Sequence, residues 1–152
     1  WSATGWDRVS FQARTNPGMP AGPIDKIASG GELARFLLAL KVVLSENEPP
    51  KTLIFDEVDS GVGGAVAAAV GARLARLGQK MQTLVITHSP QVAGNGNQHL
   101  KIAKYQTGNQ VISSTASLSQ VERREEIARM LSGDQITEAA RSAAAQLLGD
   151  SR

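Results

Sequence analysis

Residues Thr52 to Gly64 read TLIFDEVDSGVGG, and they are the strongest indication of the fold class. Its continuous apolar run, Leu53-Ile54-Phe55, fits a strand that is buried on both faces. The run closes in the adjacent carboxylates Asp56 and Glu57, and the glycines between Gly61 and Gly64 predict a turn. Open α/β sheets place their ligands at strand ends of this kind, so we expect a binding site at this edge.

A helix and a second strand follow. Thr83 to Ile86 predicts another buried strand, which closes in Thr87 and His88. Alternating buried strands and helices predict an α/β layered fold. Apolar residues at helical spacing predict that the intervening helix stops at Gly78; they are Val66, Val70, Leu74 and Leu77.

The segment before Thr52 predicts a strand and a longer helix. Apolar and polar side chains alternate from Val9 to Ala13, which indicates a half-buried strand ending before the Asn16-Pro17-Gly18 loop. Ser29 and Glu32 have the spacing of a capping box, so the helix should start at Gly30. One face of this helix is predicted to consist of Leu33, Phe36, Leu37, Leu40 and Leu44.

The remainder of the chain predicts a hairpin and three helices. Ser119 and Glu122 form a second capping-box pair, which opens a helix to about Leu131. The other predicted elements are a short helix at Pro90 to Ala93, strands at Leu100 to Tyr105 and Gln110 to Ser114 around a Gly108-Asn109 turn, and a final helix capped by Thr137 that ends near Gly149.

Composition limits the function classes. The 152 residues fit one domain, residues 1–152, and the net charge of +2 does not by itself indicate a nucleic-acid binder. Only 4% of residues are aromatic, which argues against a stacking platform for single-stranded nucleic acid. Without cysteine, disulfides, Cys-type zinc sites and thiol nucleophiles are excluded.

The sequence shows no membrane span or signal peptide, so we expect a protein located in the cytoplasm. Trp1 stands where an initiator Met would be, so we also expect a fragment of a longer protein.

The first candidate site residues are Ser29, Gly30, Gly31 and Glu32, at a predicted helix start. A helix N-terminus presents free N–H groups and partial positive charge, and glycines let a phosphate approach the backbone. This favours phosphate binding. The alternative is that Ser29 is an ordinary N-cap and the glycines form a turn.

The second candidate site is the Asp56-Glu57 pair. Ionised carboxylates are costly to bury unpaired, and a magnesium ion held by Asp56 or its waters would offset that cost. Glu57 could then orient and deprotonate a water that attacks phosphorus. The alternative is that both carboxylates only reach solvent.

Asp59 and His88 complete the set of candidates. A neutral histidine at a strand end can donate a hydrogen bond to a terminal phosphate, although a lone histidine is often structural. Asp59 either contributes to a turn with Ser60 and Gly61 or reaches a partner subunit across a shared nucleotide.

The order of these clusters resembles the ATPase heads of the ABC/SMC superfamily and, within it, the RecN family of bacterial DNA-repair proteins. The similar stretches are Lys26 to Arg35 (KIASGGELAR), Thr52 to Gly64, Thr87 to Ala93 (THSPQVA) and Glu125 to Leu131, together with the Asn16-Pro17-Gly18 loop. The resemblance extends over nearly the whole chain from Val9 onward. Ala28 stands where many ABC proteins have Leu, which fits the RecN pattern.

The resemblance implies a C-terminal lobe of a P-loop NTPase head, with mostly parallel buried strands and flanking helices. It implies that Ser29, Gly30, Gly31 and Glu32 are a signature motif for ATP on an opposing head. It also implies that Asp56 supports Mg²⁺, Glu57 is the general base, Asp59 is the D-loop residue and His88 the switch histidine. The implied role is in recombinational repair of DNA double-strand breaks, close to the nucleoid.

The phosphate-binding Walker A motif, G-x-x-x-x-G-K-[ST], does not occur, and the sequence has no Gly-Lys pair. We therefore expect this chain alone neither to bind ATP tightly nor to hydrolyse it. The expected partners are an N-terminal half of the same head that supplies Walker A, a second head that dimerises with ATP, and DNA through the complete protein.

Two rival functions stay open at this point. A metal-dependent phosphoesterase or nuclease could use Asp56, Glu57, Asp59 and His88, although the Val9 to Thr15 strand lacks the glutamate that topoisomerase-like nucleases place there. A DNA-binding or assembly module could use the helix with Arg123, Arg124 and Arg129. Its interleaved Glu122, Glu125 and Glu126 are more typical of a solvated face with internal ion pairs, and His99 has no predicted role.

Overall fold

The fold is that of a computed structural model, which describes residues 5–7, 9–14, 17–18, 20–27, 30–44, 52–108 and 110–149. Predictions at Ser29, Asn16 and Asn109 lie outside the described residues. The strands are β1 (Gln12–Ala13), β2 (Gly22–Pro23), β3 (Thr52–Asp56), β4 (Gln82–Ile86), β5 (Leu100–Thr107) and β6 (Gln110–Ser117). The helices are α1 (Ile24–Ile27), α2 (Gly30–Leu44), α3 (Gly64–Gly78), α4 (Pro90–Ala93), α5 (Gln120–Ser132) and α6 (Glu138–Leu148).

The parallel pair β3 and β4, joined by α3, is the βαβ unit that the sequence predicts. Asp56 pairs in register with Ile86, so both strands end at the same edge. Their residues alternate between partly buried and exposed, which corrects the prediction of strands buried on both faces. Leu53, Phe55 and Val85 pack on the core, whereas Ile54 is 67% exposed. Among the described residues this sheet has two strands, and the helices cover one of its faces.

Among the strands that the structure describes, only this pair is parallel. The β1–β2 and β5–β6 pairs are antiparallel, so the expectation of mostly parallel strands holds for the central unit alone. The N-terminal strand is also shorter than predicted, because Val9 is 81% exposed and residue pairing begins at Gln12. Alternation along a segment indicates a strand only if one side meets a core, and the Val9 side chain does not.

Helix α2 begins at Gly30 as predicted, but a different face is buried. Leu38 is fully buried, and Ala34 and Val42 pack beside it, four residues apart on one side of the helix. The predicted face includes Leu37 and Leu44, which are about half exposed. Large apolar side chains occur around most of this helix, so their count does not show which side meets α3.

Two hydrophobic clusters form the core. The first joins α2, α3 and the turn after β3; its buried members are Leu38, Val58, Ala67, Val70, Leu74, Leu77, Met81 and Val92. The second lies between α5 and α6; its buried members are Ile127, Ala128, Ala140 and Ala144. On α4, Val92 belongs to the first cluster and Ala93 packs against the second, so this short helix links them.

Predicted helix boundaries in the C-terminal part are confirmed. Ser119 and Glu122 form a capping box at the start of α5, and Thr137 accepts a hydrogen bond from the Ala140 N–H at the start of α6. Gly149 ends α6 in the left-handed conformation, with φ of 74°.

Val66 departs from the predicted buried stripe of α3, since it is 52% exposed. No helix in the described ranges has both the length and the apolar character to span a bilayer.

Candidate functional site

The start of α2 packs closely against the turn after β3. A Cβ on Gly31 would lie 2.9 Å from the Ser60 carbonyl oxygen, so only glycine fits without a shift. One helical turn later, Arg35 donates from Nη1 to the carbonyl oxygens of Ser60 at 3.1 Å and Val58 at 3.4 Å. The predicted signature motif, whose described residues are Gly30, Gly31 and Glu32, is therefore held against the segment that follows Asp56. Ser29 lies outside the described residues.

The turn after β3 has an unusual backbone at its first residue. Glu57 has a φ of 47°, which side-chain-bearing residues rarely adopt. Its N–H donates to the Ile86 carbonyl oxygen at 3.0 Å, and its own carbonyl accepts from the Ser60 N–H at 2.9 Å. Non-glycine residues in this conformation cost free energy and occur often at functional sites. The Glu57 backbone is thus fixed from two sides.

Asp59 turns its carboxylate into the protein. Its residue exposure is 1%, and Oδ2 accepts a hydrogen bond from the Thr87 hydroxyl at 2.5 Å. Its Oδ1 is buried with no hydrogen-bond partner among the described residues. The Thr87 oxygen in turn accepts from the Ser89 N–H at 2.9 Å. A role for Asp59 toward a partner subunit stays a prediction; within this chain its side chain connects the two strand ends.

The remaining predicted site side chains face solvent at the same edge. Asp56, Glu57 and His88 are exposed, and they follow β3 and β4, whose ends pair in register. Among the described residues, no group of three or more His, Asp or Glu side chains could hold a metal. Magnesium usually binds proteins through one or two carboxylates and takes other ligands from water and substrate phosphate. Asp56 fits that mode and does not fit an all-protein metal cage.

The arginine-containing helix α5 is tied to the protein rather than displayed to solvent. Arg123 is 7% exposed, and its Nη2 donates to the carbonyl oxygens of Ala93 at 3.2 Å, Gly94 at 3.0 Å and Gly96. These carbonyls lie at and just after the C-terminal end of α4, where helix acceptors have no partner within the helix, although the Ala93 carbonyl also accepts from the Gly96 N–H at 3.2 Å. Arg123 therefore caps the helix that follows His88, and the idea that it contacts DNA is wrong for this side chain.

The predicted ion pairs on α5 are present, but of those that Glu125 and Glu126 form only Glu126–Arg129 is internal to the helix, and Glu126 is buried rather than on a solvated face. Burial raises the pKa of Glu126, but hydrogen bonds from Arg129 and Lys101 outweigh it and leave the pKa below its ordinary value. The Lys101 Nζ and Arg129 Nη2 lie 2.5 Å and 2.6 Å from the carboxylate oxygens. Glu125 pairs similarly with Arg141 at 2.8 Å. This face is a structural charge network.

His99, which had no predicted role, borders this network. Burial and the nearby positive charges of Arg123 and Lys101 lower its pKa, although Glu126 opposes them. Its Nδ1 is buried with no hydrogen-bond partner among the described residues. Protonation of His99 is therefore disfavoured in the folded state.

Two residues of this region, Arg35 and Thr87, were not predicted to have roles, and for Arg123 the sequence suggested a DNA contact rather than the observed cap. A sequence signal existed for Arg35, because a residue four positions after Gly31 lies on the same helix face. Thr87 stood beside the predicted His88 without a function of its own. No signal separated Arg123 from its exposed neighbour Arg124, because burial of one charge on a charged helix depends on tertiary contacts.

The chain is similar in sequence to known DNA repair proteins. No protein-family model matches the chain. The chain is 50% identical over 147 residues to the DNA repair protein RecN of Rickettsia felis and 46% identical over 147 residues to RecN of Vibrio cholerae, in each case over 97% of its length. It spans 27% and 26% of the length of these two relatives, about a quarter. The predicted resemblance to RecN is thereby confirmed.

A solved structure supports the fold. It comes from work on ATP-driven dimerization and DNA-stimulated activation of SMC ATPases, and it aligns with a TM-score of 0.53 over 78% of this chain and 70% of its own. At 21% identity the likeness concerns the fold alone. The predicted class, an α/β lobe of the SMC ATPase type, is confirmed.

Proposed function

We propose, on the premise of this similarity to RecN, that the chain is the C-terminal half of an SMC-like ATPase head that acts in recombinational repair of DNA double-strand breaks. It completes an ATP site in trans through its signature motif and supplies the catalytic glutamate for its own head. ATP-driven dimerisation of two heads then controls how the complete protein holds DNA ends. The observation that supports this best is the hydrogen-bonded connection of three predicted motifs at one edge of the molecule.

The trans role rests on the start of α2. Gly30 is exposed, and a Cβ there would meet nothing within 4 Å, so its backbone is open to an incoming group. Helix N-termini favour anions because their N–H groups are unpaired and the helix dipole is positive there. Gly31 and Arg35 fix this start against the turn that follows Asp56. A phosphate of ATP held by another head would meet a rigid surface.

The role within the same head rests on Glu57 and His88. Glu57 would accept a proton from the attacking water, and His88 would donate a hydrogen bond to the terminal phosphate. Asp56 would hold Mg²⁺, which with ATP bound neutralises charge on the phosphate oxygens. Both Glu57 and His88 are exposed, as groups that must reach a ligand should be.

The outer face of the β3–β4 sheet supports an N-terminal half as partner. Ile54, Leu84 and Ile86 are 67%, 41% and 49% exposed, and they lie on the face that the helices leave uncovered. Contiguous exposed apolar side chains mark interaction surfaces. The Walker A half of the head would cover this face and bring its phosphate loop to the edge where β3 and β4 end.

Reconstitution tests the proposal. The chain is mixed with the N-terminal half of the same protein, and ATP hydrolysis is measured for each half and for the mixture. We expect turnover only in the mixture. Glu57→Gln should reduce turnover by about 10²- to 10⁴-fold, the contribution of a positioned general base, while ATP-dependent dimers persist. Ser29→Arg should prevent dimers without weakening nucleotide binding.

Glu138→Gln provides the matched control, because it removes an exposed carboxylate at the start of α6 whose ion pair is with Arg141 of the same helix. It should leave turnover unchanged. Wild-type turnover in the Glu57→Gln mixture would remove Glu57 from its role, and an inactive wild-type mixture would contradict the ATPase proposal.

The geometry disfavours both rivals. A phosphoesterase that used Asp59 as a metal ligand would need its carboxylate at the surface, but that group is buried and bonded to Thr87. A DNA contact through α5 would need free arginines, but Arg123 binds backbone carbonyls and Arg129 pairs with Glu126.

A further inference from the structure

We infer that Thr87 is a positioning residue of the ATPase site: its hydroxyl, held by Asp59, fixes the backbone on both sides of His88. This inference rests on the proposed function. The sequence motifs alone give Thr87 no role, since it only stands next to His88 in the chain.

The Thr87 hydroxyl makes two hydrogen bonds. A hydroxyl offers one donor and two acceptor lone pairs. The donor goes to Asp59 Oδ2 at 2.5 Å, and one acceptor receives the Ser89 N–H at 2.9 Å. His88 therefore sits between two residues joined through a single oxygen atom. Its Cα has little freedom to move along the strand axis, although its own side chain is exposed.

The same link reaches Glu57. The Glu57 N–H donates to the carbonyl oxygen of Ile86, the residue before Thr87, at 3.0 Å. Asp59 lies two residues after Glu57 and is 1% exposed, so its carboxylate is a rigid acceptor. Two cross-strand hydrogen bonds, one from each side, thus fix the predicted base relative to the predicted histidine.

The burial of Asp59 makes this link energetically necessary. A buried carboxylate without a hydrogen bond is strongly unfavourable, and Asp59 already has one unpartnered oxygen, Oδ1, among the described residues. If Thr87 lost its hydroxyl, Oδ2 would lose its donor as well. The turn would rearrange to hydrate the carboxylate and would move Glu57 with it.

The test compares Thr87→Val, Thr87→Ser and Thr83→Val in the complete head, reconstituted with its Walker A half. Valine has nearly the shape of threonine without the hydroxyl, and serine restores the hydroxyl. Thr83 is the control because it lies on β4, the strand that Thr87 follows, and its hydroxyl donates to the nearby Met81 carbonyl at 3.3 Å rather than across the sheet. We expect Thr87→Val to lower kcat at least about tenfold with KM for ATP nearly unchanged, as misplacement of reacting groups does. Thr87→Ser should stay within about threefold of wild type, and Thr83→Val should match wild type.

The outcomes separate the two proposals. If the wild-type head hydrolyses ATP and Thr87→Val keeps the wild-type kcat, the positioning role is overturned and the ATPase function stands. If Thr87→Val and Thr83→Val lose kcat equally, or Thr87→Ser does not restore it, the effect is general destabilisation and the inference is also overturned. If the wild-type head is inactive, both proposals fail. Circular dichroism melts of each variant show that the assay temperature lies below unfolding.

Discussion

Substitution of Gly31 by alanine tests the contact that joins the signature helix to the turn after β3. The new Cβ would lie 2.9 Å from the Ser60 carbonyl oxygen and 3.0 Å from Arg35 Nη1. Arg35 could rotate away, but it would lose its hydrogen bonds to Ser60 and Val58. The Ser60 oxygen is backbone and can move only with its turn. Relief of such overpacking costs about 1–3 kcal/mol.

Helix propensity acts in the opposite direction. Alanine is favoured over glycine by up to about 1 kcal/mol inside a helix, and less in the first turn. The matched control is Gly30→Ala, because a Cβ at Gly30 meets nothing within 4 Å. We expect Gly30→Ala to be neutral or slightly stabilising and Gly31→Ala to be less stable than it by about 1–3 kcal/mol.

Urea unfolding of the chain, followed by circular dichroism, measures both variants. For a domain of this size, each kcal/mol also corresponds to about 2–4 °C in Tm. The m-values should be unchanged, since neither substitution alters the surface exposed on unfolding. Equal stability of Gly30→Ala and Gly31→Ala would refute the close packing of α2 on the Ser60 turn, and with it the physical connection between the signature motif and Asp56.

Two further predictions concern the C-terminal part. Arg123→Ala should destabilise the chain by about 2–3 kcal/mol, because the carbonyls of Gly94 and Gly96 lose the guanidinium donor that they share. Arg124→Ala, at an exposed position, should stay within about 0.5 kcal/mol of the wild type. Similar urea midpoints for the two variants would contradict the capping role. The folded-state pKa of His99 lies below its ordinary value of 6.5, so the unfolded chain binds the proton more readily. The stability associated with neutral His99 should therefore be complete above about pH 6.5 and fall as the pH decreases toward the folded-state pKa. Between about pH 7.5 and about pH 5.5, the unfolding free energy should decrease less in His99→Gln than in the wild type. An identical decrease in both proteins would exclude His99 as the cause.

Local rules predicted much of the element order. The capping boxes, the glycine stops and the turn glycines act through backbone geometry and neighbouring residues, so they can be recognised without knowledge of the fold. This is why α5 begins after Ser119 and α6 ends at Gly149, as predicted. Burial was predicted less well. The faces of α2 and β3 that are covered depend on which partner element packs there, and Leu37 and Ile54 are apolar yet exposed.

The candidate site shows the same division. The order of residues was enough to predict which side chains stand at the element ends: carboxylates at the end of β3, Thr87 and His88 after β4, and glycines at the start of α2. The order of these residues along the chain and its similarity to RecN are enough to propose them as site residues. Only the tertiary structure decided that Asp59 turns inward to Thr87, that Gly31 contacts Ser60 and that Arg123 is buried against α4. Each of these contacts joins residues about thirty positions apart, and whether a polar group at such a distance finds a partner or water depends on packing that no local pattern encodes.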